Sequence, residues 1–165
     1  MQIYKAAAAD QLPPVVITAL AQARNNNQQI ILATGVFDVL HQEHLTFLRN
    51  AKKLGGMLIV GVESDIRVRL IKGSNRPVNN EEQRVRQLQK LGIADIVFIL
   101  PEKFDSTPEH AALMRSIRPD VLAVSSHTAH LHKKQELVTD VGGVVKVVHQ
   151  YNPSVSTTQL LGQAN

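Results

Sequence analysis

Five short, mostly apolar runs recur along this chain, separated by stretches that carry helical spacing or helix-start signals. They are Ile30 to Ala33, Met57 to Val62, Ile96 to Leu100, Asp120 to Val124 and Val144 to Val148. A strand with one wet face alternates apolar and polar residues, whereas a nearly continuous apolar run suits a strand covered on both faces. Covered strands alternating with helices build right-handed βαβ units around a parallel sheet. The expected fold is α/β: a single doubly wound, Rossmann-like domain with a five-stranded parallel sheet and helices on both faces. In such sheets ligands sit beyond the carboxyl ends of the strands, near the point where strand order reverses. The loops after the first, second, fourth and fifth strands are therefore expected to hold the chemistry.

The intervening segments agree with that plan. Leu12, Val15, Val16, Ala19, Leu20 and Ala23 fall at helical spacing between Gln11 and Arg24, with Pro13 and Pro14 suited to the first turn. Residues 1–28 read as an N-terminal helical extension of one domain spanning 1–165. Gly55 and Gly56 stop the helix after the first strand. Ser64 or Asp65 can cap a short helix to Ile71, and Asn79 or Asn80 another through Leu91. Thr107-Pro108-Glu109 opens a helix with proline at its first position. Lys133 to Val141 reads as a helix, and Ser156 to Leu161 begins like a capped one.

Composition narrows the function classes. A chain of 165 residues can bury one proper core, and 44% hydrophobic with 19% charged content is that of a globular protein. No apolar run approaches the roughly 18 residues that span a bilayer, and the first residues lack the basic-then-apolar order of a secretory signal. No membrane partner and a cytoplasmic location are expected. Without cysteine there is no disulfide, no thiolate metal site and no cysteine nucleophile. The net charge of +4 gathers as ten bases between Arg49 and Lys90. Aromatic residues are 4% and do not interleave with them, so a surface for stacking single strands is not expected and a phosphate-handling pocket is.

The densest signal is Thr34-Gly35-Val36-Phe37-Asp38-Val39-Leu40-His41-Gln42-Glu43-His44, placed between the first strand and an amphipathic segment from Leu45. Strand, glycine-bearing loop and helix follow in order. His41 and His44, three residues apart at a helix start, project from one face, beside backbone N–H groups that lack intrahelical partners. Such a place suits a phosphate.

Gly-x-Phe-Asp-x-x-His-x-Gly-His is the signature of the cytidylyltransferase-like nucleotidyltransferases, and the chain resembles it at every fixed position but one, Glu43 standing for the glycine. Further segments are similar to the same family: Lys72-Gly73-Ser74-Asn75-Arg76-Pro77, Glu82-Gln83-Arg84, and Asn152 to Thr158 with its Ser156-Thr157-Thr158. The resemblance covers about Ile30 to Leu161. Within the family it points to the heptose-1-phosphate adenylyltransferase type, while glycerol-3-phosphate cytidylyltransferases and flavin-adenylylating enzymes share most motifs. It implies an enzyme that joins a nucleoside monophosphate from ATP or CTP to a phosphorylated small molecule, a sugar or polyol phosphate, and releases pyrophosphate. Mg²⁺ accompanies the triphosphate, no protein residue is assigned to the metal, and a homodimer is expected. His41, His44 and Lys72 take the catalytic places. Gly35, Val36, Phe37, Asp38, Glu43, Arg84, Val124, Ser156 and Thr157 take the nucleotide, and Lys72, Ser126 and His127 the acceptor. Asp38 is expected to orient the loop and the first histidine rather than act as a base.

Three positions leave the family pattern. Glu43 puts a carboxylate where anions should sit, a repulsion on the order of several kcal/mol at an effective dielectric of about 20 unless Mg²⁺ or a base intervenes. Val124-Ser125-Ser126-His127-Thr128 replaces Lys-Gly-Gly-Asp-Tyr, and Tyr151 replaces an arginine. The competing expectation is a catalytically weak or inactive relative that binds a nucleotide or sugar phosphate as a sensor or partner subunit. His127, His130 and His132 have a spacing that zinc could use. With no acidic or cysteine residue among them, a loop that meets substrate is the better account.

Overall fold

A computed structural model of the chain describes residues 1–152, 154, 161 and 162. Its elements run α1 (Pro14–Asn25), β1 (Ile30–Gly35), α2 (Gln42–Lys52), β2 (Met57–Val62), α3 (Asp65–Lys72), α4 (Glu81–Leu91), β3 (Ile96–Ile99), α5 (Thr107–Ile117), β4 (Val121–Ser125), α6 (Leu131–Thr139) and β5 (Val144–His149). The five expected strands are all present, every pairing among them is parallel, and the sheet order is β3-β2-β1-β4-β5. The chain moves outward from β1 to β3, then returns across β1 to lay down β4 and β5. Strand order therefore reverses between β1 and β4.

Alternate residues of β1 show how the sheet is covered. Ile30 and Leu32 face a core with Val16, Leu20 and Ala23 of α1, Leu113, Met114 and Ile117 of α5, and Val138 of α6. Ile31 and Ala33 face the opposite core, with Leu48 and Ala51 of α2 and Val85 and Leu88 of α4. Burial of the four β1 side chains is almost complete, at 0–1% exposure. At about 25 cal/mol per Å² of apolar area removed from water, two such cores provide the main driving force for the fold.

Helix boundaries follow the caps. Pro13 is the N-cap of α1 and Pro14 its first residue, where a missing N–H costs nothing. This places the start three residues later than the hydrophobic spacing from Gln11 suggests. Ser64 caps α3, accepting the N–H of Arg67 at 3.2 Å. Asn80 and Gln83 form a reciprocal capping box on α4. Helix α6 begins at Leu131, two residues earlier than expected, behind His130 in the left-handed region at φ 54°. Of the helix expected from Ser156 to Leu161, all but Leu161 lies outside the described residues, and Leu161 is helical.

The residues before α1 add more than a helix. Tyr4 C=O accepts Ile99 N–H at 2.8 Å and Ala6 N–H donates to Ile99 C=O at 2.9 Å, so the N-terminal segment covers the β3 edge of the sheet. Lys5 anchors it through Glu81 and Glu102 at 2.8 and 2.9 Å. No helix among the described residues is long and apolar enough to cross a membrane.

Candidate active site

The loop leaving β1 is shaped by one close contact. A Cβ at Gly35 would lie 2.9 Å from the ring of Phe37, so glycine is what lets that ring fold back over the strand end. Phe37 itself sits at φ 50°, sparsely populated for a side chain of its size, and the fold holds it there by burying the ring to 4% exposure. His41, extended at φ −142°, then caps α2, its Nδ1 accepting the N–H of Glu43 at 3.2 Å. Because Nδ1 accepts, the proton of the neutral ring resides on Nε2. The His41 and His44 rings stack with centroids 4.0 Å apart, and Phe37 packs on His44 at 5.6 Å.

His44 is held neutral. Burial pushes its pKa down to about 4, the charges of His41 and Lys72 push the same way, and Asp38 opposes them. Its Nδ1 is buried with no hydrogen-bond partner among the described residues, a cost that a bound ligand can relieve. Burial also lowers the pKa of His41, against the influence of Glu43.

Asp38 does not behave as a free base. Its Oδ2 accepts from Arg76 Nε and Val78 N–H, both at 2.9 Å, and its Oδ1 accepts Asn79 N–H at 2.9 Å. Burial alone would raise its pKa, but those backbone donors and the Arg76 guanidinium outweigh it and hold the carboxyl below its ordinary range. Asp38 is thus an orienting residue, as expected, although what it fastens is the segment from Arg76 to Asn79 rather than His41. Arg84 strengthens the same junction. Its side chain is completely buried and reaches Asp65 at 2.7 Å, Val36 C=O at 2.7 Å and Asn79 C=O at 3.0 Å.

These pieces wall a cavity of about 600 Å³ over the carboxyl ends of β1 and β4, at the point of strand reversal. The segment from Gly35 to Asp38, with His41, Glu43 and His44, forms one wall, and Lys72 from the end of α3 stands at another. Val124, His127 and Lys134 approach from the β4 side, with His149 and Tyr151 from β5. Two carboxylates belong to the described lining, Asp38 and Glu43. The first is saturated as above, and the second is in close contact with Nε2 of His149. The cationic side of the cavity is less committed: Lys134 touches Thr128 Oγ1, and burial lowers its pKa against the pull of Glu63.

Most of the residues that the sequence singles out converge here. Gly35, Val36, Phe37, Asp38, His41, Glu43, His44, Lys72, Val124 and His127 all line the cavity. Ser126 does not; its hydroxyl accepts Tyr151 N–H at 2.7 Å, so it braces the rim. Arg84 does not either, and the arginine that reaches the cavity is Arg76. Ser156 and Thr157 lie outside the described residues. His132 is turned to Glu136 at 3.3 Å, leaving His127 as the histidine of its group in the lining. Arg76 was visible in the Lys-Gly-x-x-Arg-Pro segment, whereas nothing local marks Lys134 or His149.

Comparison with known proteins agrees with this fold. Residues 32–162 match the family described as cytidylyltransferase-like. The chain is 39% identical over 144 residues to the bifunctional protein HldE of Yersinia pestis (strain Pestoides F), covering 87% of this chain and 29% of that protein. The same figures hold for HldE of Yersinia pseudotuberculosis serotype O:1b (strain IP 31758), so the chain spans 29% of the length of these relatives. Among solved structures, the lipopolysaccharide core biosynthesis protein from Thermoplasma volcanium GSS1 is similar at TM-score 0.59 and 26% identity, over 76% of this chain and 97% of that one. Pantoate-beta-alanine ligase from Francisella tularensis, at TM-score 0.59 and 17% identity over 97% of this chain and 76% of its own, shares the fold.

Proposed function

This chain belongs to the cytidylyltransferase-like family, and from that premise we propose that it transfers a nucleotidyl group from ATP or CTP to a sugar or polyol phosphate, releasing pyrophosphate. The observation that carries the proposal is the stacked His41–His44 pair at the start of α2, lining with Lys72 a cavity whose two described carboxylates are already engaged. Such a cavity presents donors and positive charge to an anionic ligand. Motif similarity to the heptose-1-phosphate adenylyltransferase type favours ATP and a sugar phosphate. The likeness to a protein described by its role in lipopolysaccharide core biosynthesis points the same way.

In the proposed reaction an oxygen of the acceptor phosphate attacks the α-phosphorus in line. The new P–O bond forms as the bond to the β-phosphate oxygen breaks, and pyrophosphate leaves with the electron pair. The acceptor phosphate is already anionic at neutral pH, so no general base is required, in keeping with an Asp38 held in its hydrogen bonds. His41 offers its Nε2–H to the crowded α-phosphate. His44, with a buried nitrogen that has no hydrogen-bond partner among the described residues, acts beside it, and Lys72 offsets the acceptor's charge. Preorganised donors of this kind are each worth roughly a hundredfold or more in rate. Mg²⁺ enters as part of the nucleotide substrate, because Asp38 and Glu43 have other partners and the ion binds readily through phosphate oxygens. A homodimer belongs to the same proposal and is checked by light scattering.

The test is pyrophosphate release with ATP and CTP against a panel of sugar 1-phosphates and polyol phosphates. Release that depends on one nucleotide and one acceptor, and that falls in His44→Ala, supports the proposal. A folded protein that binds nucleotide yet releases nothing with any acceptor would turn the assignment to a sensor or partner subunit.

A further inference from the structure

The three departures from the family pattern lie far apart in the chain and meet in the fold. Glu43, in the first turn of α2, touches His149 at the end of β5, across 106 residues. The carbonyl of His149 accepts Ser126 N–H at 2.9 Å, and the Ser126 hydroxyl accepts Tyr151 N–H at 2.7 Å. Tyr151 stacks on His127 with centroids 3.9 Å apart, and His127 Nδ1 lies 2.8 Å from Ser125 Oγ. Glu43, the 124–128 segment and Tyr151 therefore form one connected rim, with His149 as the link. A register shift between Val124 and Ser125 sets Ser125, rather than the residue expected from the preceding ladder, opposite His149. Irregularities of this type re-aim a side chain. Here the imidazole arrives against Glu43, with both side chains lining the cavity at 12% and 19% exposure.

A carboxylate on that wall would repel a polyphosphate if left alone. At a few ångströms, partly desolvated, the repulsion outweighs the small benefit Glu43 gives as an acidic residue in a helix's first turn. Bound to the imidazole, the same carboxylate is held on the β5 wall with a polar partner between it and the ligand. We propose that His149 is a positioning residue for nucleoside triphosphate binding: it holds Glu43 against the β5 wall and engages its carboxylate, making a site without the motif glycine compatible with a polyphosphate. The inference rests on the nucleotidyl-transfer assignment above. A glutamate at position 43 without a partner at position 149 would burden the site.

Calorimetry with MgATP, MgCTP and inorganic pyrophosphate on the whole chain tests this through a charge-specific cycle. His149→Ala should weaken binding of the preferred nucleotide at least tenfold. Adding Glu43→Gln, which removes the charge and keeps the bulk, should bring affinity back to within threefold of wild type. A purely structural tie between α2 and β5 predicts the opposite, because the second substitution cannot rebuild a lost contact. Unchanged affinity in His149→Ala, or a double variant as weak as the single one, overturns the inference while leaving nucleotidyl transfer intact. A wild type that binds none of the three ligands overturns the functional assignment and this inference with it. Should His149→Ala not fold, as judged by its circular dichroism, His149→Gln with and without Glu43→Gln makes the same comparison.

Discussion

Replacing Arg84 with alanine separates two accounts of that residue. The family resemblance implies an arginine that holds the triphosphate, whereas in the fold its guanidinium is spent on Asp65 at 2.7 Å, Val36 C=O at 2.7 Å and Asn79 C=O at 3.0 Å, with no exposed surface. Removing one partner of a buried ion pair typically costs about 3–5 kcal/mol, because the other charge is left uncompensated. Asp65 keeps some contact with water at 21% side-chain exposure, which moderates that term. Two orphaned carbonyls and the vacated volume add to it. About 3–5 kcal/mol is a large part of the 5–15 kcal/mol by which domains are usually stable. At roughly 2–4 °C per kcal/mol for a chain of this size, the melting temperature of Arg84→Ala should fall by about 6–20 °C. Differential scanning calorimetry measures this directly, and Arg84→Lys, which can restore one contact at best, should fall in between. Val36 belongs to the loop at the cavity, so some nucleotide affinity will go with the stability. The refuting result is the converse: a melting temperature within about 2 °C of wild type together with nucleotide binding weakened tenfold or more. That would mean Arg84 serves the ligand and not the frame.

Other perturbations have distinct signatures. His41→Ala or His44→Ala should lower kcat about a hundredfold or more, measured as pyrophosphate release; full activity in both variants would remove them from the catalytic step. Lys72→Ala should raise KM for the acceptor about tenfold while leaving the calorimetric Kd of the nucleotide near its wild-type value, and the reverse pattern would mean the lysine serves the triphosphate. Stability should also respond to pH through His44, whose folded pKa is pushed from 6.5 down to about 4. Between those values the unfolded chain binds the proton and the native ring does not, so stability rises with pH across the window and is lost on acidification. The effect is at most about 3 kcal/mol, and thermal melts at pH 4.5 and 7 should show a smaller difference in His44→Gln than in wild type.

Much of the architecture is legible in the chain because the signals behind it are local. Continuous apolar runs such as Met57 to Val62 can be covered on both faces in few ways, and proline or serine at a helix start acts within a turn. The histidine pair is legible for the same reason, since three residues of helix bring His41 and His44 together whatever the rest of the protein does. Tertiary structure decided where side chains go once they have a choice of partners. Asp38 could have faced His41, but the loop from Arg76 to Asn79 offered it three donors. Arg84 could have reached into the cavity, but two buried carbonyls and Asp65 engaged each of its three nitrogens. Glu43, taken by sequence alone, is an unopposed charge in a phosphate site. The partner that changes its meaning stands on a strand laid down after four crossover connections, and no local pattern can announce a contact that exists only when β5 is placed beside β4.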